Sequence, residues 1–95
     1  MELPQYPQPI EVASNDRSIT VGVNAWGQPT GVQLTEDARR LAGAELAARI
    51  KALYEIAKTA ALAVHNVEHH RETKTWMPSW PTANHVETLL RGLTF

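Results

Sequence analysis

Two histidines stand four residues apart in the second half of the chain, with a glutamate directly before the second. Residues 65–69 read HNVEH and match the H-x-x-E-H pattern of one class of zinc hydrolases. In that class both imidazoles bind one Zn²⁺, and the glutamate acts as the general base. Residues four apart share a face of a helix, so His65 and His69 are candidate metal ligands.

The same motif also fits a polar helix end, where histidines interact favourably with the helix dipole. A chain of 95 residues offers little room for a substrate cleft as well as a core. The sequence contains no phosphate-binding glycine loop and no nucleophile elbow, and no pair of carboxylates stands out as an acid–base couple. We therefore expect a non-enzymatic protein without a cofactor or a metal site, and zinc-dependent hydrolysis through His65 and His69 remains the third alternative.

Charge and composition limit the partners of the chain. Lysine and arginine number 9, aspartate and glutamate 10, and the net charge is −1. DNA-binding domains usually carry a clear positive excess, so this balance favours at most weak contact with duplex DNA. No cysteine, no apolar run long enough to cross a bilayer and no secretory leader is evident, which favours a cytoplasmic protein without a membrane partner.

Two sets of side chains are candidates for binding. The candidates for contact with DNA phosphates are Arg17, Arg39, Arg40 and Arg49. Alternatively, these arginines lie on a solvated helix face and pair with Glu36 and Glu45. The candidates for contact with a protein partner are Trp26, Trp76 and Trp80. Exposed tryptophans are frequent in binding hot spots, although these rings could instead fold back and fill an alanine-rich core.

The elements that must position these residues are a small sheet and a long helix. Residues 1–9 hold three prolines and are expected to be extended or disordered. Three short segments then predict an antiparallel β-meander, and the clearest is the second, where Ile19, Val21 and Val23 alternate with polar or small residues. In the third segment Val32 and Leu34 are expected on the buried face. The predicted fold is α+β.

A heptad pattern of apolar residues follows the meander. It predicts one helix over about residues 44–71, roughly 40 Å long at ~1.5 Å per residue, which is long for a single small globule. We therefore predict a homodimer with a helix seam formed by Leu46, Ile50, Leu53, Ala57, Ala60, Val64 and Val67. The alternative is that this stripe packs against the sheet of its own chain.

The remaining residues complete the predicted organisation. Residues 10–72 form the meander and long helix, and residues 73–95 form a linker rich in tryptophan and proline and a short C-terminal helix. We expect that last helix to cover the second face of the sheet.

The order of elements over residues 19–63 is that of a known family. A strand at 19–24, a turn containing Gly27, a strand at 30–34 and an Ala/Leu helix from 44 resemble the YbaB/EbfC family of small bacterial nucleoid-associated proteins. The likeness is to divergent actinobacterial members, some of which are encoded beside type VII secretion systems. The resemblance implies a homodimer with a three-stranded sheet between two helices, and DNA binding.

The sequence therefore supports two functions almost equally. The charge balance favours a dimeric interaction or adaptor protein of this fold, which could be an accessory factor of type VII secretion. The family resemblance favours a nucleoid-associated protein that contacts the DNA backbone weakly and without sequence preference. We place the adaptor first.

Overall fold

The computed structural model describes residues 10–95; the predicted extended segment 1–9 lies outside the described residues. The three strands form one antiparallel sheet in the order β1-β2-β3 and are followed by three helices. The elements are β1 (Ile10–Ala13), β2 (Ile19–Val23), β3 (Pro29–Leu34), α1 (Glu36–Arg39), α2 (Gly43–Thr73) and α3 (Ala83–Arg91). The predicted α+β fold, with its meander, long helix and short C-terminal helix, is confirmed, whereas the dimer stays a prediction.

The strand register places the apolar side chains on one face of the sheet. Val12 pairs with Val21, and Val21 pairs with Val32, so these three valines form one row across the strands. Helix α2 packs over β1 and β2, and Ile19, Val21 and Val23 are fully buried beneath it. The alternation predicted for the second strand is therefore confirmed.

The third strand departs from the prediction. Val32 lies on the expected face but is 39% exposed, because α2 packs mainly over the other two strands and β3 forms an edge of the sheet. Its neighbour Leu34 is half-buried against the core. An edge strand carries unpaired backbone groups along one side, and Pro29 at its first position reduces the number of donors there.

The predicted helix seam needs correction at two central residues, because they pack inside the single chain. Leu53 and Ala57 are completely buried in the core of the single chain, together with Ile56 and Ala61 one turn away. In this conformation Leu53 and Ala57 have no surface to offer to a second copy. The stripe packs against the chain's own sheet because an α-helix needs only a 3.6-residue period for that, and heptad spacing nearly matches it.

The chain's C-terminus is attached to the turn between β1 and β2. The backbone N–H of Asn15 donates to the Phe95 carbonyl at 2.7 Å, and the Asn15 side-chain amide donates to the Leu93 carbonyl at 3.1 Å. Leu93 and Phe95 also pack against the core. Helix α3 packs against α2, so the expectation that it covers the second sheet face is wrong.

Asp16 organises the same turn. Its Oδ1 accepts hydrogen bonds from the Ser14 hydroxyl at 2.7 Å, the Ser18 N–H at 2.9 Å and the Ser18 hydroxyl at 2.8 Å. These donors, that of Ser14 first, stabilise the carboxylate and lower the pKa of Asp16 from 3.8 to about 2. The turn also holds Arg17 at a positive φ of 64°.

This turn predicts an acid sensitivity. Because the folded-state pKa of Asp16 is depressed, its contribution to stability is complete above pH 3.8 and is lost as the pH falls through about 2. We expect the melting temperature of Asp16→Asn to be lower than that of the wild type at pH 6, and the difference to shrink towards pH 2. Thermal melts followed by circular dichroism from pH 6 to pH 2 measure it. Asp37→Asn, at an exposed carboxylate on α1, is the control, and an equal response of both variants would contradict the assignment.

Candidate aromatic binding site

The turn between β2 and β3 presents a tryptophan to solvent. The Oδ1 atom of Asn24 accepts hydrogen bonds from the backbone N–H groups of Trp26, at 2.9 Å, and Gln28, at 3.0 Å. Gly27 follows with a positive φ of 80°, a conformation that glycine adopts without strain. The Trp26 side chain is 77% exposed even though its backbone is fixed by the turn.

The ring of His65 on helix α2 packs against the indole ring of Trp26. The two rings stack with centroids 5.1 Å apart and planes 24° apart. Nε2 of His65 lies 2.7 Å from the carbonyl oxygen of Ala25. A carbonyl only accepts, so Nε2 carries the proton and donates to Ala25. The helix is thereby joined to the β2–β3 turn.

A second tryptophan reaches the same histidine from the segment that follows α2. Trp80 lies 6.5 Å from His65 between ring centroids, and 6.0 Å from His69 in an edge-to-face contact. With Trp26 it lines a pocket of about 290 Å³. We call this the aromatic pocket; its lining comprises Ala25, Trp26, Gly27, Lys58, Ala61, Leu62, His65 and Trp80.

Asn66 positions the segment that carries Trp80. This fully buried side chain directs Nδ2 at the carbonyl oxygens of Met77, Trp80 and Pro81, at 3.2–3.3 Å, and its Oδ1 accepts from the Met77 N–H at 2.8 Å. Sequence reasoning missed Asn66. The available signal was an amide on the helix just before a proline-rich segment whose backbone groups need partners.

The third predicted tryptophan lies outside the pocket. Trp76 stacks on His70 with ring centroids 4.1 Å apart and planes 15° apart, and it remains 50% exposed. The structure therefore brings together Trp26 and Trp80 of the predicted partner-binding set and leaves Trp76 on a separate surface. Neither ring of the pocket belongs to the buried core.

The candidate zinc ligands both take part in aromatic contacts. His65 contacts Trp26 and donates to Ala25, and His69 packs against Trp80. Within residues 10–95 no three His, Asp or Glu side chains are grouped in a way that could hold a metal ion. His65 thus lines the pocket, and His69 packs against Trp80, one turn further along the helix.

The candidate DNA-binding arginines lie at the opposite end of the sheet. The hydrogen bond from Thr35 N–H to Ser18 O, at 2.9 Å, holds the start of α1 beside the β1–β2 turn. Arg40 pairs with Asp37 at 3.2 Å, and the predicted pairing of Arg49 with Glu45 is confirmed at 2.6 Å. The Arg49 guanidinium also lies 4.9 Å above the Phe95 ring.

A wider groove runs between the edge strand β3 and helix α2. Its volume is about 550 Å³, and its walls include Pro29, Ile50, Lys51 and Tyr54. The Tyr54 hydroxyl donates to the Gly31 carbonyl at 3.1 Å. Ile50, a residue of the predicted seam, therefore lines an open surface groove.

Comparison of the chain with protein-family models, with curated proteins and with solved structures gives no significant match. The resemblance to the YbaB/EbfC family therefore stays a prediction from the residues that carry it. Among residues 10–95, no helix has the length and apolarity needed to cross a bilayer.

Proposed function

We propose that this chain is a non-enzymatic interaction protein, active as a homodimer, that binds a protein partner through the aromatic pocket. The observation that carries the proposal is Trp26, which is 77% exposed on a turn fixed by Asn24. A rigid exposed tryptophan loses little conformational entropy on binding and buries a large apolar area. An apolar side chain of the partner would enter between Trp26 and Trp80.

The remaining lining of the pocket supports the same function. Leu62 is 42% exposed at its wall, and Lys58 adds a cation, held by Glu55 at 3.5 Å. An apolar centre with one charged group at the rim is the usual anatomy of a protein-binding hot spot. The family resemblance extends the proposal to a cytoplasmic adaptor, such as an accessory factor of type VII secretion.

The homodimer is proposed through surfaces that the single chain leaves open. The groove beside β3 and α2 contains Ile50, and Val32 is partly exposed on the adjoining edge strand. Further along α2, Ala60 and Val64 are half-buried and Val67 is exposed. Edge strands with unpaired backbone groups readily pair with a second chain, and the groove gives that contact an apolar side.

The second candidate function is weak binding of duplex DNA. It is favoured by one arrangement: the β1–β2 turn with Arg17 and helix α1 with Arg39 lie at the same end of the sheet. In a dimer this set of cations would occur twice, which would strengthen contact with the phosphate backbone. Arg40 and Arg49 already pair with carboxylates, which weakens the set.

Light scattering coupled to size exclusion separates these proposals. We expect twice the chain mass, and no added mass when a short duplex DNA is present at low or physiological salt. DNA mass gained only at low salt would favour the second candidate, because phosphate contacts weaken steeply with salt. A monomer at all concentrations would contradict the homodimer.

A further inference from the structure

The backbone of the β2–β3 turn pairs its own hydrogen-bonding groups beside the aromatic pocket. The N–H groups of Trp26 and Gly27 donate to the side chain and the carbonyl of Asn24, both at 2.9 Å. The Ala25 carbonyl accepts from His65 at 2.7 Å. Because these backbone groups already have partners, a ligand of the pocket is recognised mainly by side chains.

The polar side-chain groups that remain at the pocket are mainly hydrogen-bond donors. Lys58 contributes an ammonium group, which has three donors and no acceptor. The indole nitrogens of Trp26 and Trp80 can only donate. The described residues of the lining include no aspartate or glutamate, so the pocket favours an occupant that brings a hydrogen-bond acceptor and a negative charge.

Lys58 has a partner on its own helix, but the pair is weak. Its Nζ lies 3.5 Å from a carboxylate oxygen of Glu55, and the two side chains are 52% and 61% exposed. Exposed ion pairs of this kind contribute little, because water surrounds both charges. A carboxylate from a partner can therefore bind the same ammonium group.

The apolar part of the pocket suits one large side chain. Its volume is about 290 Å³, whereas pockets for drug-sized ligands measure roughly 300–1,000 Å³. Trp26 and Trp80 bound it together with Leu62 and the buried Ala61. An aromatic ring fits these surroundings best, because ring faces and edges attract each other beyond the apolar area that they bury.

We propose that the partner presents an acidic segment, in which an aromatic side chain enters between Trp26 and Trp80 and a carboxylate two residues away binds the Lys58 ammonium. The inference rests on the proposed interaction surface and adds the chemistry of the partner. In an extended segment, residues two apart point to the same side, roughly 7 Å from each other. The flexible four-carbon stem of lysine lets its ammonium reach a group at that distance from the ring.

Two synthetic peptides test this inference on the full chain. The acidic peptide, acetyl-Asp-Ser-Phe-Ser-Asp-amide, has a carboxylate on each side of the ring, so either chain direction brings one to Lys58. The matched peptide has Asn in place of both Asp. In ¹⁵N-correlated NMR spectra we expect both peptides to shift the indole N–H signals of Trp26 and Trp80, while that of Trp76, outside the pocket, stays. We expect the acidic peptide to bind about two- to fivefold more tightly at low salt, and the difference to vanish at about 1 M salt.

Two lysine variants locate the charge that is responsible. Lys58→Met keeps an apolar stem and removes the ammonium group, so we expect it to bind both peptides equally. The matched control is Lys51→Met, two turns earlier on the same helix, at a lysine that lines the wider groove. This control is expected to keep the preference for the acidic peptide.

Three outcomes would overturn the inference, and they differ in what they leave standing. Equal binding of both peptides to the wild type would exclude an acidic partner and leave the aromatic interaction surface in place. A preference that persists in Lys58→Met would show that another group binds the carboxylate. Unshifted signals of Trp26 and Trp80 with both peptides at millimolar concentration would overturn the inference and the proposed interaction surface together.

Discussion

Leu53→Ala is expected to lower the free energy of unfolding by about 2–5 kcal/mol. Leu53 is completely buried in the core cluster that also contains Ile19 and Val21 of β2. The substitution removes apolar contacts and leaves a cavity, and an alanine-rich helix supplies few large side chains that could move in to fill it. Total stability of a domain of this size is only about 5–15 kcal/mol, so this is a large fraction.

Urea unfolding followed by circular dichroism measures the effect. In thermal melts, we expect the melting temperature to fall by about 4–8 °C for each kcal/mol of unfolding free energy lost. The matched control is Leu62→Ala, the same substitution on the same helix at a side chain that is 42% exposed. We expect it to cost less than about 1 kcal/mol, because solvent already reaches that side chain.

The same variant tests whether Leu53 lies in the core of one chain or in a helix seam between two copies. If Leu53 lies between two copies, as the heptad spacing predicts, Leu53→Ala would separate a dimer into folded monomers. If Leu53 belongs to the core, the variant would lose stability with the same oligomeric mass up to its unfolding transition. Folded monomers with wild-type stability would contradict the core position.

Asn66→Ala is expected to lower the free energy of unfolding by about 2–4 kcal/mol, because it leaves several partly buried backbone groups without partners. The Met77 N–H loses its acceptor, and the carbonyls of Met77, Trp80 and Pro81 lose a shared donor. Burying a polar group without a partner costs more than the hydrogen bond contributed when formed. The effect therefore exceeds that of an ordinary surface hydrogen bond.

The variant also has a local signature. Without Asn66 the segment with Trp80 is no longer held to α2, so the indole signal of Trp80 should shift while the fold persists at low temperature. Asn84→Ala, at an exposed amide in the first turn of α3, is the matched control for stability. A loss of stability no larger than in this control would contradict the positioning role of Asn66.

Local sequence patterns predicted the elements of the fold well. Ile19, Val21 and Val23 alternate with small or polar residues, and that period of two is itself the geometry of a half-buried strand. The pairs Glu45–Arg49 and Glu55–Lys58 follow from the positions of neighbours on a helix surface. These features depend on residues close in sequence, so no tertiary information was needed.

Local sequence patterns did not predict what each apolar face packs against. Heptad spacing and the 3.6-residue period nearly coincide over the three heptads of residues 46–67, so the pattern alone did not say whether Leu53 faces a second copy or the sheet. Val32 carried the right strand pattern, yet its exposure depends on how far α2 extends over β3. Burial depends on which elements lie opposite, and no local pattern contains that.

For the candidate site as well, the sequence determined some features and only the tertiary structure decided the others. The sequence by itself determined the supply of aromatic and proline residues, the lack of positive excess and the elements that carry them. Only the tertiary structure separated Trp76 from Trp26 and Trp80, made His65 a stacking partner, and used Asn66 to hold the last segment. The pocket brings together residues up to 54 positions apart in the sequence, Trp26 and Trp80. These contacts form because burying apolar rings and satisfying buried backbone groups are conditions on the whole fold.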